Sequence, residues 1–385
     1  MKRIALALVL IIGVTAAFGQ SSKVVSAYNY MKPQYNELDK AKEAIDQAAV
    51  HAKTSNQAKT WYYRGQVYHK LYNSKEEKFK NLADNPLKTA YQSFKKAKEL
   101  DDKGRFEKDL LFEIQRCGNL FFNKGGTEYS EGKYEDSYES FITVIEIGQL
   151  PYINQVDTGA YFNAAIAADQ AGMIDEAIKY YKISADFGYE GSKVYKYIAD
   201  LYMAKGDTAA ALEEYKTGIE KYPEDNVNLY IQLINFYLEK EDLDQAYGFI
   251  EKALEKDSEN ASLWYVYGLA MEDRDDEKAL EAFKKAIDIN PEYWQAMYMV
   301  GAVHYNRGYE ANKVAQEIPL DDKEGYEKAV AKVDEHFEQA LPYFERAIAI
   351  QPDDAQTLAA LKELYYRFKM TEKLEAVNKK IEELK

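Results

Sequence analysis

From residue 58 onward the chain repeats one arrangement of small and large apolar positions. A small residue is followed four positions later by an aromatic or β-branched one, and three later again by a second small residue. Ala177, Tyr181 and Ser184 fit this, as do Ala211, Tyr215 and Gly218, then Ala246, Ile250 and Ala253, then Ala279, Phe283 and Ala286. Ala90, Phe94 and Ala97, Ser137, Phe141 and Val144, and Ala340, Phe344 and Ala347 carry the same trio. Offsets of three and four mark one face of an α-helix. The leading alanines from Ala177 to Ala279 are 34, 35 and 33 residues apart. That period is the length of a helix pair, and it predicts a stacked array.

A second pattern lies about sixteen residues upstream of each leading small residue: an aromatic, then a small residue four later. Tyr195, Ile198, Ala199 and Tyr202 show it, as do Trp264, Tyr267, Gly268 and Met271. Trp61, Arg64, Gly65 and Tyr68 repeat it, and Tyr161, Ala164, Ala165 and Ala168 give a reduced form. Pro223, Pro291 and Pro352 close units, and Gly132, Gly172 and Gly206 fall where a left-handed helix stop is wanted. These motifs, seven times over between residues 58 and 352, resemble the tetratricopeptide repeat (TPR) family, and specifically an exported bacterial member. The resemblance implies an all-α fold, a right-handed α-solenoid of antiparallel helix pairs, with about seven repeats between degenerate terminal half-repeats. Close packing is expected at the Gly or Ala of the first helix, with the alanine of the second helix in that gap and the aromatics between neighbouring units.

The array is not uniform. The unit of Trp61 reaches Ala90 only after an insertion near 73–86, and a second insertion, 309–337, separates Gly301 from Ala340. The latter is expected to lengthen both helices of its pair around Ile318–Asp322, and Pro342 to kink or restart the second. Residues 20–57 read as an N-terminal helical cap or half-repeat carrying Ala41, Ile45 and Ala48, and residues 353–385 as a capping pair opened by Asp353–Asp354.

Residues 1–19 belong to a different pattern. Lys2 and Arg3 precede the apolar run Ile4–Val14, and Ala17-Phe18-Gly19 supplies small residues for cleavage before Gln20. That is a secretory signal, too short for a membrane span, with no cysteine at its exit for a lipid anchor. The expected location is periplasmic or secreted, with no transmembrane segment in the mature chain. The net charge is −15, from 65 acidic and 50 basic residues, which disfavours nucleic acid as a partner. Cys117 is the one cysteine, so no internal disulfide forms, and its apolar helical setting predicts burial.

No nucleophile–base, metal-ligand or phosphate-loop motif is present, so the chain reads as a non-enzyme without cofactor or metal. His304 stands where the family often has tyrosine and is read as packing. Asp273–Asp276 lacks the glycine and glutamate of a calcium loop and is read as a charged turn. The 34 tyrosines instead suggest recognition. The resemblance places a concave face at the positions one and five after the leading aromatic: Tyr62 and Gln66, Phe162 and Ile166, Lys196 and Asp200, Ile231 and Asn235, Tyr265 and Leu269, Tyr298 and Ala302. Some members grip a peptide's terminal carboxylate there with Lys and Asn. This chain has Lys196 and Asn235 only, which speaks against that clamp. The expectation is a protein or peptide partner in the cell envelope, held by an exported scaffold through this aromatic face. The alternative is glycan or nutrient binding by sugars stacked on Tyr and Trp. Exported nutrient-binding lipoproteins of similar repeat content carry a lipidation cysteine and a large non-repeat ligand-binding insertion, both missing here.

Overall fold

The computed structural model describes residues 22–384 except 273 and 320. The signal segment 1–19 and its cleavage point lie outside the described residues. Among these no strand occurs, and no helix is long and apolar enough to cross a membrane. The chain divides into two compact units, Met1–Leu201 and Tyr202–Lys385.

The first unit begins with α1 (22–30) and α2 (Leu38–Val50), within the stretch 20–57 expected to be helical. There follow α3 (Ala58–Tyr72), the single turn α4 (Glu77–Lys80), α5 (Pro86–Leu100), α6 (Glu107–Ser130), α7 (Tyr134–Gly148), α8 (Thr158–Gln170), α9 (Ile174–Asp186) and α10 (Lys193–Ala204). The second holds α11 (Thr208–Lys221), α12 (Val227–Glu239), α13 (Leu243–Lys256), α14 (Ala261–Met271) and α15 (Asp276–Ile289). It ends with α16 (Trp294–Gln316), α17 (Lys323–Ile350), α18 (Ala355–Arg367) and α19 (Thr371–Glu383). Within each unit the helices pack chiefly on their neighbours in sequence, as α3 on α5, α6 on α7 and α8 on α9, or α12 on α13, α14 on α15 and α16 on α17. This near-neighbour packing is how stacked repeats build a core that no single pair could close.

The packing unit is a glycine set against a ring. A Cβ on Gly65, Gly268 or Gly301 would lie 2.4, 2.4 and 2.8 Å from the rings of Phe94, Phe283 and Phe344. The ring of the second helix therefore fills the gap on the first, within one pair. This corrects the expected arrangement, in which the alanine took that place and the rings lay between units. Removal of the side chain lets a flat, fully buried ring lie on helix backbone, and each such ring contributes about 2–3 kcal/mol of burial.

The insertions follow the same rule. α16 and α17 carry a second contact, Gly308 on Phe337, seven residues from the first in both helices. Two extra turns on each side keep the same faces opposed. α17 runs unbroken through Pro342, so the expected restart does not occur. Pro342 lies on the exposed side, where the Glu338 carbonyl that loses its donor is left to water, while Phe337 and Phe344 hold the helix from the other side. α6 is lengthened likewise, with Gly125 against Phe141 and Gly118 against Ile147. In the 73–85 connection, Phe79 of α4 is buried and ties the segment down.

Turns between paired helices match the expectation: Gly132, Gly172 and Gly206 have φ of 75°, 74° and 78°. Asp354 caps α18, its carboxylate accepting from the Thr357 N–H at 2.7 Å. Of the acidic residues read as a charged turn, Asp275 caps α15 by accepting from the Lys278 N–H, and residue 273 lies outside the described residues. Cys117 is fully buried, and burial pushes its thiol up to about 12.

Candidate functional site

The position after the leading aromatic has one recurrent role. Its ring rests on the large residue of the second helix: Phe162 on Tyr181 (5.7 Å between centroids), Tyr265 on Phe283 (5.8 Å), Tyr298 on Phe344 (5.7 Å). Phe122 on Phe141 (5.4 Å) is a further instance in α6. One edge of each ring is thereby fixed by the hairpin that carries it. Phe162, Tyr265 and Tyr298 are half-buried, so each keeps part of its surface exposed.

Tyr62 departs from this. It is buried, because Phe106, from the segment leading into α6, stacks on it at 4.7 Å. Gln66 donates to its hydroxyl at 2.8 Å, and burial, with Asp109 and Glu113 nearby, raises its pKa. The expected exposure of Tyr62 is corrected accordingly, and Gln66 is spent on holding it.

In the first unit Phe162 belongs to a four-ring cluster. Tyr189 lies 5.2 Å and Tyr197 6.2 Å from it, and Tyr197 stacks on Tyr181 at 5.4 Å. Ile166 is half-buried one turn on. Lys196 is paired with Asp200 at 2.6 Å, so its charge is already met. Burial, with Asp200 nearby, raises the pKa of Asp169. Tyr189 and Tyr197 were not among the expected residues. Tyr197 is two positions after its leading aromatic and Tyr189 lies in a turn, so neither follows the spacing rule.

In the second unit Tyr265 and Leu269 of α14 and Tyr298 of α16 lie over one buried cluster, with Tyr293 5.2 Å from Tyr265. Burial comes first in raising the pKa of both Tyr265 and Tyr298, and Glu272 acts on each. Ile231 is half-buried against the core of α12 and α13, while Asn235 is exposed. Ala302 is packed at the edge of the α16–α17 core.

An aromatic concavity lies further along the same hairpin. A cavity of about 570 Å³ is lined by Tyr305, Tyr309, Phe337, Tyr366 and Leu374, with Lys362 and Arg367 at its polar side. Tyr305 rests on Phe337 at 5.3 Å and donates to Glu363. Tyr309 and Tyr366 are 53% and 76% exposed, so these rings face solvent rather than core. The spacing rule reaches the first two if applied to Gly308: one and five positions after His304 come Tyr305 and Tyr309. The signal was a second glycine seven residues after Gly301. Tyr366 had no signal.

Three models of the tetratricopeptide repeat match the chain, over residues 162–226, 202–269 and 261–293. No curated protein matches it. Among solved structures it is similar to the C-terminal part of a TPR repeat-containing protein from Cytophaga hutchinsonii. That likeness has 18% identity and a TM-score of 0.47, covering 68% of this chain and 95% of that one. It is also similar to YrrB, described as a TPR protein with an unusual peptide-binding site, at 21% identity and a TM-score of 0.34, covering 46% and 89%. MamA from Desulfovibrio magneticus RS-1 is a third, at 16% and 0.36, covering 51% and 97%. Repeat models match through residues 162–293, and glycine-on-ring hairpins lie both before and after that span, so the chain carries tetratricopeptide repeats.

Proposed function

We propose that this protein is a non-enzymatic scaffold that holds a segment of another protein against its aromatic faces. One observation carries the reading: Tyr305, anchored on Phe337 of its own hairpin, and the exposed Tyr309 and Tyr366 together line a cavity of about 570 Å³ in the second unit. Such rings present large apolar area and lose little freedom on contact, which is what an interface core needs. The groups with the most reactive potential are spent on packing. Cys117 is buried as a neutral thiol, and burial, then Lys284 and Arg307, lowers His304 to about 4.

The test places a photo-crosslinking residue at Tyr309 or Tyr366 and recovers the crosslinked partner from the cell envelope. Tyr309→Ala with Tyr366→Ala is expected to cut recovery about tenfold or more, in line with losing two interface aromatics. Equal recovery would remove the cavity from the interface. Asn312 and Asn378 beside the two tyrosines also suit a sugar ring. Calorimetric binding of an oligosaccharide, abolished by the same pair of substitutions, would make the glycan reading the correct one.

The scaffold is further proposed to act in the periplasm or outside the cell, because residues 2–19 have the order of a cleaved export signal. Mass mapping of the N-terminus decides this. A mature chain starting at Gln20 in the periplasm or medium is expected; an intact Met1–Gly19 segment on cytoplasmic protein would defeat it.

A further inference from the structure

His304 lies between the two glycine-on-ring contacts that close α16 on α17. It comes after Gly301, which receives Phe344, and before Gly308, which receives Phe337. It is 7% exposed, and its ring stacks on Tyr343 of α17 with centroids 6.4 Å and planes 17° apart. Its Nδ1 is buried and has no hydrogen-bond partner among the described residues. His336 of α17, next to Phe337, carries a second buried Nδ1 in the same condition. A neutral imidazole leaves one hydrogen bond unmade in such a setting. An imidazolium there adds an uncompensated charge in the core, which costs far more.

The charges around the ring add to that cost. Each of the three helices about His304 presents a cationic group to it: Lys284 from α15, Arg307 one turn on in α16, and His336 from α17. Arg346 lies over the same Tyr343 ring at 6.0 Å. The opposing charge is Glu277 of α15, already engaged by Arg307 at 3.0 Å, and Asp276 beside it lies 3.8 Å from the same guanidinium. Burial, then Lys284, Arg307 and His336, accordingly hold His304 down to about 4. In acid the hairpin relieves this by exposing the ring, which means parting α16 from α17. That movement reaches the aromatic cavity directly. The residue after His304 is Tyr305 and the residue after His336 is Phe337, and these two rings, 5.3 Å apart, form one wall of the cavity. Tyr305 is also tied to Glu363 of α18, so it does not simply follow Phe337 when α17 moves.

We propose that His304 is an acid release for this cavity: proton uptake there loosens α16 from α17, separates Tyr305 from Phe337 and frees whatever the cavity holds. The occupant rests on the scaffold reading; the opening rests on the buried imidazole and its cationic neighbours alone.

Hydrogen exchange of the full chain, corrected for intrinsic rates, is compared at about pH 7.5 and about pH 5. Protection of residues 301–309 and 333–344 is expected to fall about tenfold at the lower pH. The difference between about 4 folded and 6.5 ordinarily gives about 30-fold at pH 5, and screening by solvent removes part of it. Protection of α12 and α13 should hold. His304→Tyr should abolish the fall, and where that variant is already less protected at neutral pH, His304→Phe, which keeps a ring on Tyr343, takes its place. No fall in the wild type overturns the proposal, as does an equal fall in a variant that is fully protected at neutral pH. A photo-crosslinker at Tyr309 gives the second readout. Partner recovery should drop at the lower pH in the wild type and not in the His304 variant, and equal recovery at both pH values overturns release. If no partner is caught at either pH, the scaffold reading fails while exchange still decides whether His304 opens the hairpin.

Discussion

Replacing Gly268 and Gly248 by alanine, one at a time, should move stability in opposite directions. Both glycines lie inside helices, α14 and α13, where glycine costs about 1 kcal/mol relative to alanine. At Gly248 nothing lies within 4 Å of the added Cβ, so Gly248→Ala should recover most of that amount. At Gly268 the added carbon would stand 2.4, 2.6 and 2.8 Å from three atoms of the Phe283 ring. Carbons rest at about 3.5–4.0 Å, so the ring must retreat by about 1 Å. Phe283 is fully buried and has no room to do so. Overpacking of this kind costs about 1–3 kcal/mol, which outweighs the propensity gain. The net expectation is a loss of up to about 2 kcal/mol, and a separation of about 1–3 kcal/mol between the two variants. In the Gly268→Ala background, Phe283→Leu should cost less than it does alone, because the shorter side chain clears the clash. Hydrogen exchange read by mass spectrometry on α14 and α15 is the suitable assay, since a global midpoint mixes transitions in a chain of two units. Protection there should fall about tenfold in Gly268→Ala. If Gly268→Ala raised protection as Gly248→Ala does, glycine-on-ring packing would not be what sets the hairpin spacing.

Three other outcomes follow from the same structure. Glu241 holds φ of 58° in the turn between α12 and α13, at the place where other hairpins have glycine. Glu241→Gly should therefore stabilise the second unit by about 0.5–1 kcal/mol, measured as greater hydrogen-exchange protection of α12 and α13. His304 titrates at about 4 when folded against 6.5 ordinarily, so the unfolded chain takes up the proton first. Its contribution is complete above pH 6.5 and is lost as pH falls from 6.5 through 4. The amount is on the order of 2 kcal/mol once screening by solvent is allowed for, and His304→Tyr should remove that part of the pH dependence of hydrogen-exchange protection in α16 and α17. Cys117, buried and protonated up to about pH 12, should ignore a thiol reagent at pH 8 until the chain unfolds. Stoichiometric labelling of the native protein would contradict its placement.

The repeat was legible because it is local. A trio spaced four and three apart forces one face of a helix, and its return every 33 to 35 residues forces pairs that must stack. The turn glycines and the Asp354 cap were readable for the same reason: each needs only its immediate neighbours. That α17 would run on through Pro342 was not legible, because the local penalty is outweighed by contacts from α16 that lie more than thirty residues away in sequence.

Exposure could not be read from the spacing in this way. Tyr62 and Tyr265 occupy equivalent positions, yet Phe106 covers one while the other stays half open. Tyr366 carries no repeat signal and reaches its cavity through the α17–α18 packing. The sequence alone thus determined the helices, their pairing and the repeat they form, since periodicity and packing size are properties of short stretches. Which rings remain open to a ligand was decided by tertiary structure, because covering a side chain takes atoms from elsewhere in the chain.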